Sequence, residues 1–195
     1  MPTCPFVLAA VCGASRGEVL ASRWGDLDGK QATIRRSLEE LDDGSLRFKP
    51  TKTKRSQRPV ILPAFVIEIL DQHKAQQAKD RLRAGQHWAH NGLICADPLG
   101  RPLSPRRLTK AFIKLRKPLG FNGVRLHDLR HGFATLHLMK LRTDVKVVSE
   151  ALGHSDVATT FRIFSHVLPG MQEEAASQID TLLRTNLERG PTDPG

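Results

Sequence analysis

Most of the short β-prone runs of this sequence lie between residues 31 and 62, and helical spacing of apolar residues dominates on both sides of that part. Turn residues at 42–45 separate the first two runs, which favours antiparallel pairing. Pro63 ends the β-prone part. The pattern predicts an α+β fold, in which one mostly helical domain carries a small antiparallel sheet. Its predicted strands are Gln31–Leu38, Leu46–Lys49 and Arg58–Leu62, with Gly92–Ala96 as one more short strand.

The helical segments begin and end at residues that favour such boundaries. Residues 5–24 predict a helix, a tight turn at Gly13, and a second helix that starts near Ser15 or Arg16. Ser104 is a suitable N-cap, and Pro105 suits the first position of a helix that runs to about Lys117. The remaining predicted helices are Ala64–Arg83, Leu126–Met139, Asp144–Leu152, Ala158–Ser165 and Met171–Leu187.

The charge balance points to a polyanionic partner. The chain has 30 Lys and Arg against 20 Asp and Glu, a formal net charge of +10. Residues 47–58 contain six cations and residues 101–117 contain seven, without an acidic residue in either stretch. These stretches predict contacts with the backbone of duplex DNA, and the alternative is an ordinary solvated surface. The candidate DNA-binding residues are Arg16, Lys49, Lys54, Arg55, Arg58, Arg106, Arg107 and Lys110.

Cysteine usage and hydropathy indicate the compartment. Cys4, Cys12 and Cys95 are odd in number and lack CxxC spacing, so neither a disulfide framework nor a zinc ribbon is indicated. The apolar run Phe6–Ala14 is too short to span a bilayer, and no Lys or Arg precedes it as in a secretory signal. These features predict a cytoplasmic protein.

Three residues between 127 and 154 can together bind and protonate a phosphate. HDLRH at 127–131 places His127 and Arg130 on one face of a helix, with His131 one turn from His127. LGH at 152–154 adds His154. An Arg can hold two phosphate oxygens, and a His can transfer a proton near neutral pH. The HxxR spacing alone is weak support, because it occurs often by chance.

The complete set of motifs resembles the tyrosine recombinases of the phage-integrase type. HDLRHGFATLHL, DVKVVSEALGHSDVATT and SHVLPGMQEEAA resemble the second signature region of that family. GASRGEVLASRWGDLD resembles the first signature, normally GxRxxE followed by LRW, and FKPTKTKRSQRPVILP resembles the hairpin with the active-site lysine. The resemblance covers roughly residues 5–185 and implies the family's mostly helical catalytic fold.

The family's chemistry, carried over by motif position, assigns four intact residues. A tyrosine attacks a DNA phosphodiester to form a covalent phosphotyrosine, two arginines hold the phosphorane oxygens, and no metal or cofactor is needed. A lysine protonates the leaving oxygen, and Lys52 matches it, with Lys54 as an alternative. The resemblance implies the remaining roles for His127, Arg130 and His154.

Two positions depart from the family pattern. Ser15 stands where the first arginine is expected, and Arg16 is rotated by about 100° along a helix, which directs its side chain elsewhere. Phe164 stands where TTxxxYSHV has its tyrosine, and the sequence contains no tyrosine. The resemblance therefore predicts a pseudoenzyme, such as a remnant of a mobile element, that cannot cleave DNA by itself. The alternative is an active recombinase that uses Ser165, His166 or a nucleophile supplied in trans.

Two other interpretations of this region are weaker. His127 and His131 have the spacing of zinc ligands, but a zinc nuclease would want a glutamate after the first histidine, and Asp128 follows instead. Leu152 and Gly153 break two short helices, as in a helix-turn-helix DNA-recognition motif. The family resemblance explains that break as the turn that aims His154 at a phosphate.

The resemblance also implies partners and domain limits. Integrases of this type act as tetramers on paired duplexes, so a homo-oligomer on double-stranded DNA is expected. Residues 1–187 are expected to form the catalytic domain, and residues 188–195 a disordered tail. We expect no N-terminal DNA-clamping domain in this chain, and hence weak binding that is largely independent of DNA sequence.

Overall fold

The computed structural model describes residues 3–51, 57–154, 156–164, 177 and 179–180. None of the described helices is both long and apolar enough to cross a bilayer. The predicted α+β fold is confirmed. Within the elements assigned in these residues, the α-helices are Thr3–Cys12 (α1), Arg16–Ala21 (α2), Ala64–Ala84 (α3), Pro105–Arg116 (α4), Asp128–Thr135 (α5), Val145–Leu152 (α6) and Val157–Phe164 (α7).

The β-structure forms two small antiparallel sheets rather than the single sheet predicted. The strands are Leu27–Asp28 (β1), Gln31–Ile34 (β2), Arg36–Glu40 (β3), Leu46–Pro50 (β4) and Arg58–Ile61 (β5). One sheet has the order β1-β2-β5, and the other pairs β3 with β4. The prediction of one continuous strand over Gln31–Leu38 was wrong, because the chain changes its partner strand at Arg35. Ile34 pairs with Arg58, whereas Arg36 pairs with Pro50.

The segment Gly92–Ala96 was also predicted wrongly. It makes only two isolated β-bridges, Arg23 to Leu93 and Ala96 to Pro102. Its carbonyl groups are used by a helix instead, since the amide of Gln77 on α3 donates to the Leu93 oxygen at 3.1 Å. The segment is therefore a buried connection that lies against α3.

The helix that begins at the HDLRH motif changes its hydrogen bonding partway along. α5 ends at Thr135, and a π-helical turn occupies Leu136–Lys140, where one continuous helix was predicted. The Leu141 amide donates to the Leu136 carbonyl at 3.1 Å, and the Thr143 amide donates to the His137 carbonyl at 2.9 Å. Asp144 then caps α6 by accepting from the Lys146 amide at 2.7 Å. α5 and α6 are thus neighbours in contact, joined by a short, well-bonded turn.

Two clusters of buried apolar residues meet at Gly13. The larger cluster joins α1–α4 with the sheets, and the smaller consists of Phe133, Ala134, Leu138, Val148 and Leu152. Gly13 has a φ of 56°, and a Cβ placed there would lie 2.8 Å from Cδ1 of Phe133 and 3.0 Å from Cδ2 of Leu152. A glycine is therefore required where the turn between α1 and α2 packs against α5 and α6.

Replacement of Gly13 by Ala tests this contact. The variant should lose about 2–5 kcal/mol of unfolding free energy, from the left-handed backbone and from overpacking against the smaller cluster. Gly29→Ala is the matched control, because Gly29 has a φ of 54° and nothing within 4 Å of its added Cβ. The control should lose only about 1–2 kcal/mol. Equal losses in urea unfolding would show that the packing at Gly13 contributes nothing.

Candidate phosphate-binding site

Arg130 lies in the first turn of α5 and links two other parts of the chain. Its Nη1 donates to the Gly13 carbonyl and its Nη2 to the Leu152 carbonyl, both at 2.6 Å. Burial lowers the pKa of Arg130 to about 10, a change that the charge of Glu18 opposes and that of Arg58 reinforces. Arg130 therefore stays charged at neutral pH while its head is held at the junction of α2, α5 and α6.

Ser15 is the N-cap of α2 and forms a capping box with Glu18. The Ser15 amide donates to Oε2 of Glu18 at 2.6 Å, and the Glu18 amide donates to Oγ of Ser15 at 3.4 Å. Burial raises the pKa of Glu18, whereas hydrogen bonds from Arg58 and Ser15 and the charge of Arg130 lower it. The lowering effects are larger together, so the pKa lies below its ordinary value. Glu18 is thus an ionised, largely buried carboxylate, with Oε2 3.8 Å from Nη1 of Arg130.

Arg16 lies next to Ser15 but points to another part of the fold. Its side chain is exposed, and Nη1 donates to Oγ1 of Thr109 on α4 at 2.9 Å. This position matches the rotation expected of neighbouring helix residues. Arg16 therefore extends the basic face of α4, at a distance from the carbonyl groups that hold Arg130.

His154 follows the glycine that ends α6, and a buried hydroxyl orients its ring. Nδ1 of His154 lies 2.8 Å from Oγ1 of Thr160 on α7, and Thr160 is fully buried. Burial lowers the pKa of His154 to about 4, and the charges of Arg130, Arg58 and His131 add to that effect. The ring is therefore neutral at physiological pH, and Thr160 leaves its other nitrogen for a ligand.

His127 and His131 extend the group of histidines along α5. Their ring centroids are 4.8 Å apart with an interplanar angle of 88°. Burial lowers the pKa of His127, as do the charges of His131, Arg130 and Arg125, while Asp128 opposes them. The charges of Arg130 and His131 thus lower the pKa of both His127 and His154.

A cavity of about 550 Å³ opens beside His154. Five of its seven lining residues carry ionisable groups, and the full lining consists of Arg58, Lys146, Ser149, Glu150, His154, Asp156 and Val157. The cavity has room for a phosphate group together with its ordered water. It connects the histidine at the end of α6 with the first residue of β5.

The candidate DNA-binding cations fall into three groups. Arg106, Arg107 and Lys110 are exposed on α4, and Nε of Arg106 lies 3.4 Å from Oε1 of Glu40. Lys49 is half-buried and pairs with Glu39 on the neighbouring strand, and Arg58 is buried. Lys52, Lys54 and Arg55 lie outside the described residues, as does the side chain of Phe164, whose backbone ends α7.

Sequence reasoning gave no role to Glu18 or Thr160, and it treated Arg58 as a surface cation. The capping-box spacing of Ser15 and Glu18 is a local signal that could have linked that pair. The bond from Thr160 to His154 has no such signal, since a threonine in a helix usually packs or faces solvent. Arg58 and Ala151, which share a hydrogen bond, are 93 positions apart in sequence.

Comparison with known proteins shows the family to which the sequence is similar. The model of the phage integrase family matches residues 3–170. A tyrosine recombinase XerC-like protein of Caldanaerobacter subterraneus subsp. tengcongensis is 30% identical over 190 residues, which cover 91% of this chain and 48% of that protein. The ICEBs1 integrase of Bacillus subtilis is 30% identical over 183 residues, covering 91% and 48%. The chain thus spans about half the length of these relatives.

Solved structures of DNA recombinases share the fold. The Tn1549 transposon integrase in complex with transposon right end DNA superposes with a TM-score of 0.74 at 15% identity, over 92% of this chain and 58% of that one. The XerH site-specific recombinase bound to palindromic difH substrate gives a TM-score of 0.60 at 26% identity, over 89% and 44%. Both structures therefore share the fold of this chain.

The lowered pKa of His154 predicts a pH dependence of stability. The unfolded chain binds a proton at His154 below about pH 6.5, whereas the folded protein does so only below about pH 4. Between these values the unfolded state binds more protons, so the unfolding free energy should fall as the pH falls. The carboxylates contribute at lower pH, because the ordinary pKa of Glu18 is 4.5 and the folded value is lower.

Urea unfolding at pH 7, 6 and 5 measures this dependence, with His154→Gln as the matched variant. The unfolding free energy of the variant should change less with pH over this range than that of the wild type. The change that remains is due to His127 and His137, whose pKa values burial also lowers. The His154 ring resonance should titrate near pH 4 in the folded protein. A resonance that titrates at the unfolded value would contradict the burial of this ring.

Proposed function

This chain belongs to the phage integrase family of tyrosine recombinases, and we propose that it binds duplex DNA through a recombinase catalytic domain that no longer cleaves it. The position of Arg130 beside the turn that carries His154 carries this proposal, since Nη2 of Arg130 donates to the Leu152 carbonyl and His154, two residues later, lines the cavity. A guanidinium has five N–H donors, of which Gly13 and Leu152 take two. The remaining donors suit the non-bridging oxygens of a DNA phosphate, beside a neutral imidazole that can donate or accept a hydrogen bond.

The charge distribution supports duplex DNA as the ligand. The chain has a net charge of +10, and α4 presents Arg106, Arg107 and Lys110 to solvent. Arg16 reaches across to the same helix. Cations that lie on a helix face contact phosphates without regard to base sequence. We propose that α4 holds the DNA backbone while the Arg130 site receives one phosphate.

The absence of cleavage is proposed from the sequence. The chain contains no tyrosine, and Phe164 stands at the motif position of the nucleophile. Ser15, at the motif position of an arginine, brings no charge, and loss of one such donor typically costs ~3–4 kcal/mol of transition-state stabilisation. Without a nucleophile the covalent route is closed, so the two losses together leave a binding domain.

The family's mode of action extends the proposal to assembly and origin. Integrases of this type act as tetramers on paired duplexes, and we propose that this domain takes part in such an assembly. Loss of both the nucleophile and one arginine fits a remnant of a mobile element. Within an assembly, a domain that binds without cutting would occupy a site and leave its DNA strand intact.

Binding should be weak and strongly dependent on salt. A dissociation constant of about 10⁻⁴–10⁻⁶ M is expected at physiological salt for contacts mainly with phosphates. Fluorescence anisotropy of a labelled duplex at several salt concentrations measures the slope of log affinity against log salt. Lys110→Gln should reduce the magnitude of that slope by about 1, as expected for one lost phosphate contact. An affinity independent of salt would overturn the proposal.

Covalent trapping distinguishes binding from cleavage. With a nicked duplex that prevents religation, the wild-type protein should give no protein–DNA adduct, and a covalent band would support the alternative of a substitute nucleophile. Phe164→Tyr combined with Ser15→Arg should restore an adduct, whereas either change alone should not. Phe161→Tyr with Ser15→Arg is the control, because it adds a phenol one turn earlier on α7. Loss of the Ser15 cap should cost about 1 kcal/mol of stability, so each variant is first checked for folding.

A further inference from the structure

Arg58 is a buried cation, although it comes from a stretch rich in surface cations. Only 5% of its side chain is exposed. Nη1 donates to Oε1 of Glu18 at 2.8 Å, Nη2 donates to Oε2 of Glu18 at 3.3 Å, and Nε donates to the Ala151 carbonyl at 2.6 Å. Such a fork on a carboxylate fixes both partners in distance and in angle. The guanidinium is thus engaged inside the fold and does not extend from the surface into a DNA groove.

The turn that carries His154 packs against the same guanidinium. Gly153 ends α6 with a φ of 71°, and a Cβ added there would lie 2.6 Å from Nη1 of Arg58. Arg58 therefore contacts this turn in two ways, by the bond to Ala151 and by the close approach of Gly153. His154 is the next residue, and it lines the cavity together with Arg58.

The charge of Arg58 matters because Glu18 lies close to Arg130. Oε2 of Glu18 is 3.8 Å from Nη1 of Arg130. A carboxylate at this distance competes with a phosphate for the same guanidinium, unless another cation neutralises it. Arg58 is that cation, and with it the network of Arg58, Glu18 and Arg130 carries one net positive charge. Ser15, which is bonded to Glu18, adds none.

We propose that Arg58 is a positioning residue of the phosphate site: it neutralises Glu18 and supports the 151–154 turn, which keeps Arg130 available to a DNA phosphate and His154 directed at the cavity. The proposal rests on the proposed function in so far as it concerns DNA. Its statement about His154 concerns the free protein and can be tested without DNA.

The first experiment follows the His154 ring resonance of the free protein against pH. The charged groups that face this ring are Arg130 and His131 from α5 and Arg58 from β5, and Lys146, Glu150 and Asp156 line the adjoining cavity. Arg58→Met removes one positive charge, so the resonance should titrate at a higher pH than in the wild type. Arg58→Lys keeps the charge and should move it less. An unchanged titration in Arg58→Met would overturn the link between Arg58 and His154.

The second experiment measures the affinity for a labelled duplex in a double-mutant cycle. Arg58→Met should bind about tenfold more weakly, because the Glu18 carboxylate is then no longer neutralised by Arg58 and competes with DNA for Arg130. Removal of that carboxylate as well, in Arg58→Met with Glu18→Gln, should restore the affinity to within about threefold of the wild type. A merely structural role would give no such rescue, since the double variant lacks both partners. Absence of rescue would overturn the proposal.

Controls separate the possible failures. Arg83→Met removes an equal charge from α3, where the Arg83 side chain is 76% exposed, and its effect should stay within about twofold. If the wild type itself does not bind DNA, the proposed function fails, and the His154 titration still decides the role of Arg58. If Arg58→Met does not fold, the double variant, which buries no unpaired carboxylate, is compared with Arg58→Lys and with the wild type.

Discussion

The Glu18 carboxylate is shared by two buried arginines, and most of the site depends on that arrangement. Arg58 reaches it from β5 and Arg130 from α5, while Ser15 binds it from the start of α2. A buried ion pair stabilises a fold only when its hydrogen bonds are satisfied, because the charges lose their hydration. Here carbonyl groups of Gly13, Ala151 and Leu152 accept from the same two guanidinium groups. The interactions that join these elements are therefore also the ones that shape the proposed phosphate site.

The proposed site lies where two apolar clusters meet, which places its backbone groups among close-packed residues. Gly13 contacts Phe133 and Leu152 of the smaller cluster, and its carbonyl accepts from Arg130. Leu152 is fully buried, and its carbonyl accepts from the same side chain. The backbone groups that orient Arg130 are thus held by close-packed residues, which resist displacement. A cation held in this way needs little reorganisation to receive a phosphate.

Local signals predicted the helices well, and long-range contacts account for the errors. Ser104 and Pro105 begin α4 as expected, and Gly153 ends α6, because caps act within one turn. The change of strand partner at Arg35 was missed, since alternation shows which residues face inward but not which strand lies beside them. Arg58 was grouped with surface cations for a similar reason, since Glu18 lies 40 positions away in sequence. His127, Arg130 and His154 were selected from their spacing and from the family resemblance, whereas Thr160 required the fold.

The capping box at Ser15 bears on how such a domain could change its role over evolutionary time. Serine is among the best N-cap residues, and arginine offers no side-chain oxygen to accept from the helix amides. The arginine that the family's motif has at position 15 therefore serves catalysis at a cost in helix stability, a conflict that is common in active sites. Once selection for cutting is relaxed, serine at this position becomes a gain for the fold. Under the proposed loss of cleavage, the same substitution removes a catalytic charge and caps a helix, so the chemistry and the stability of the fold change in opposite directions.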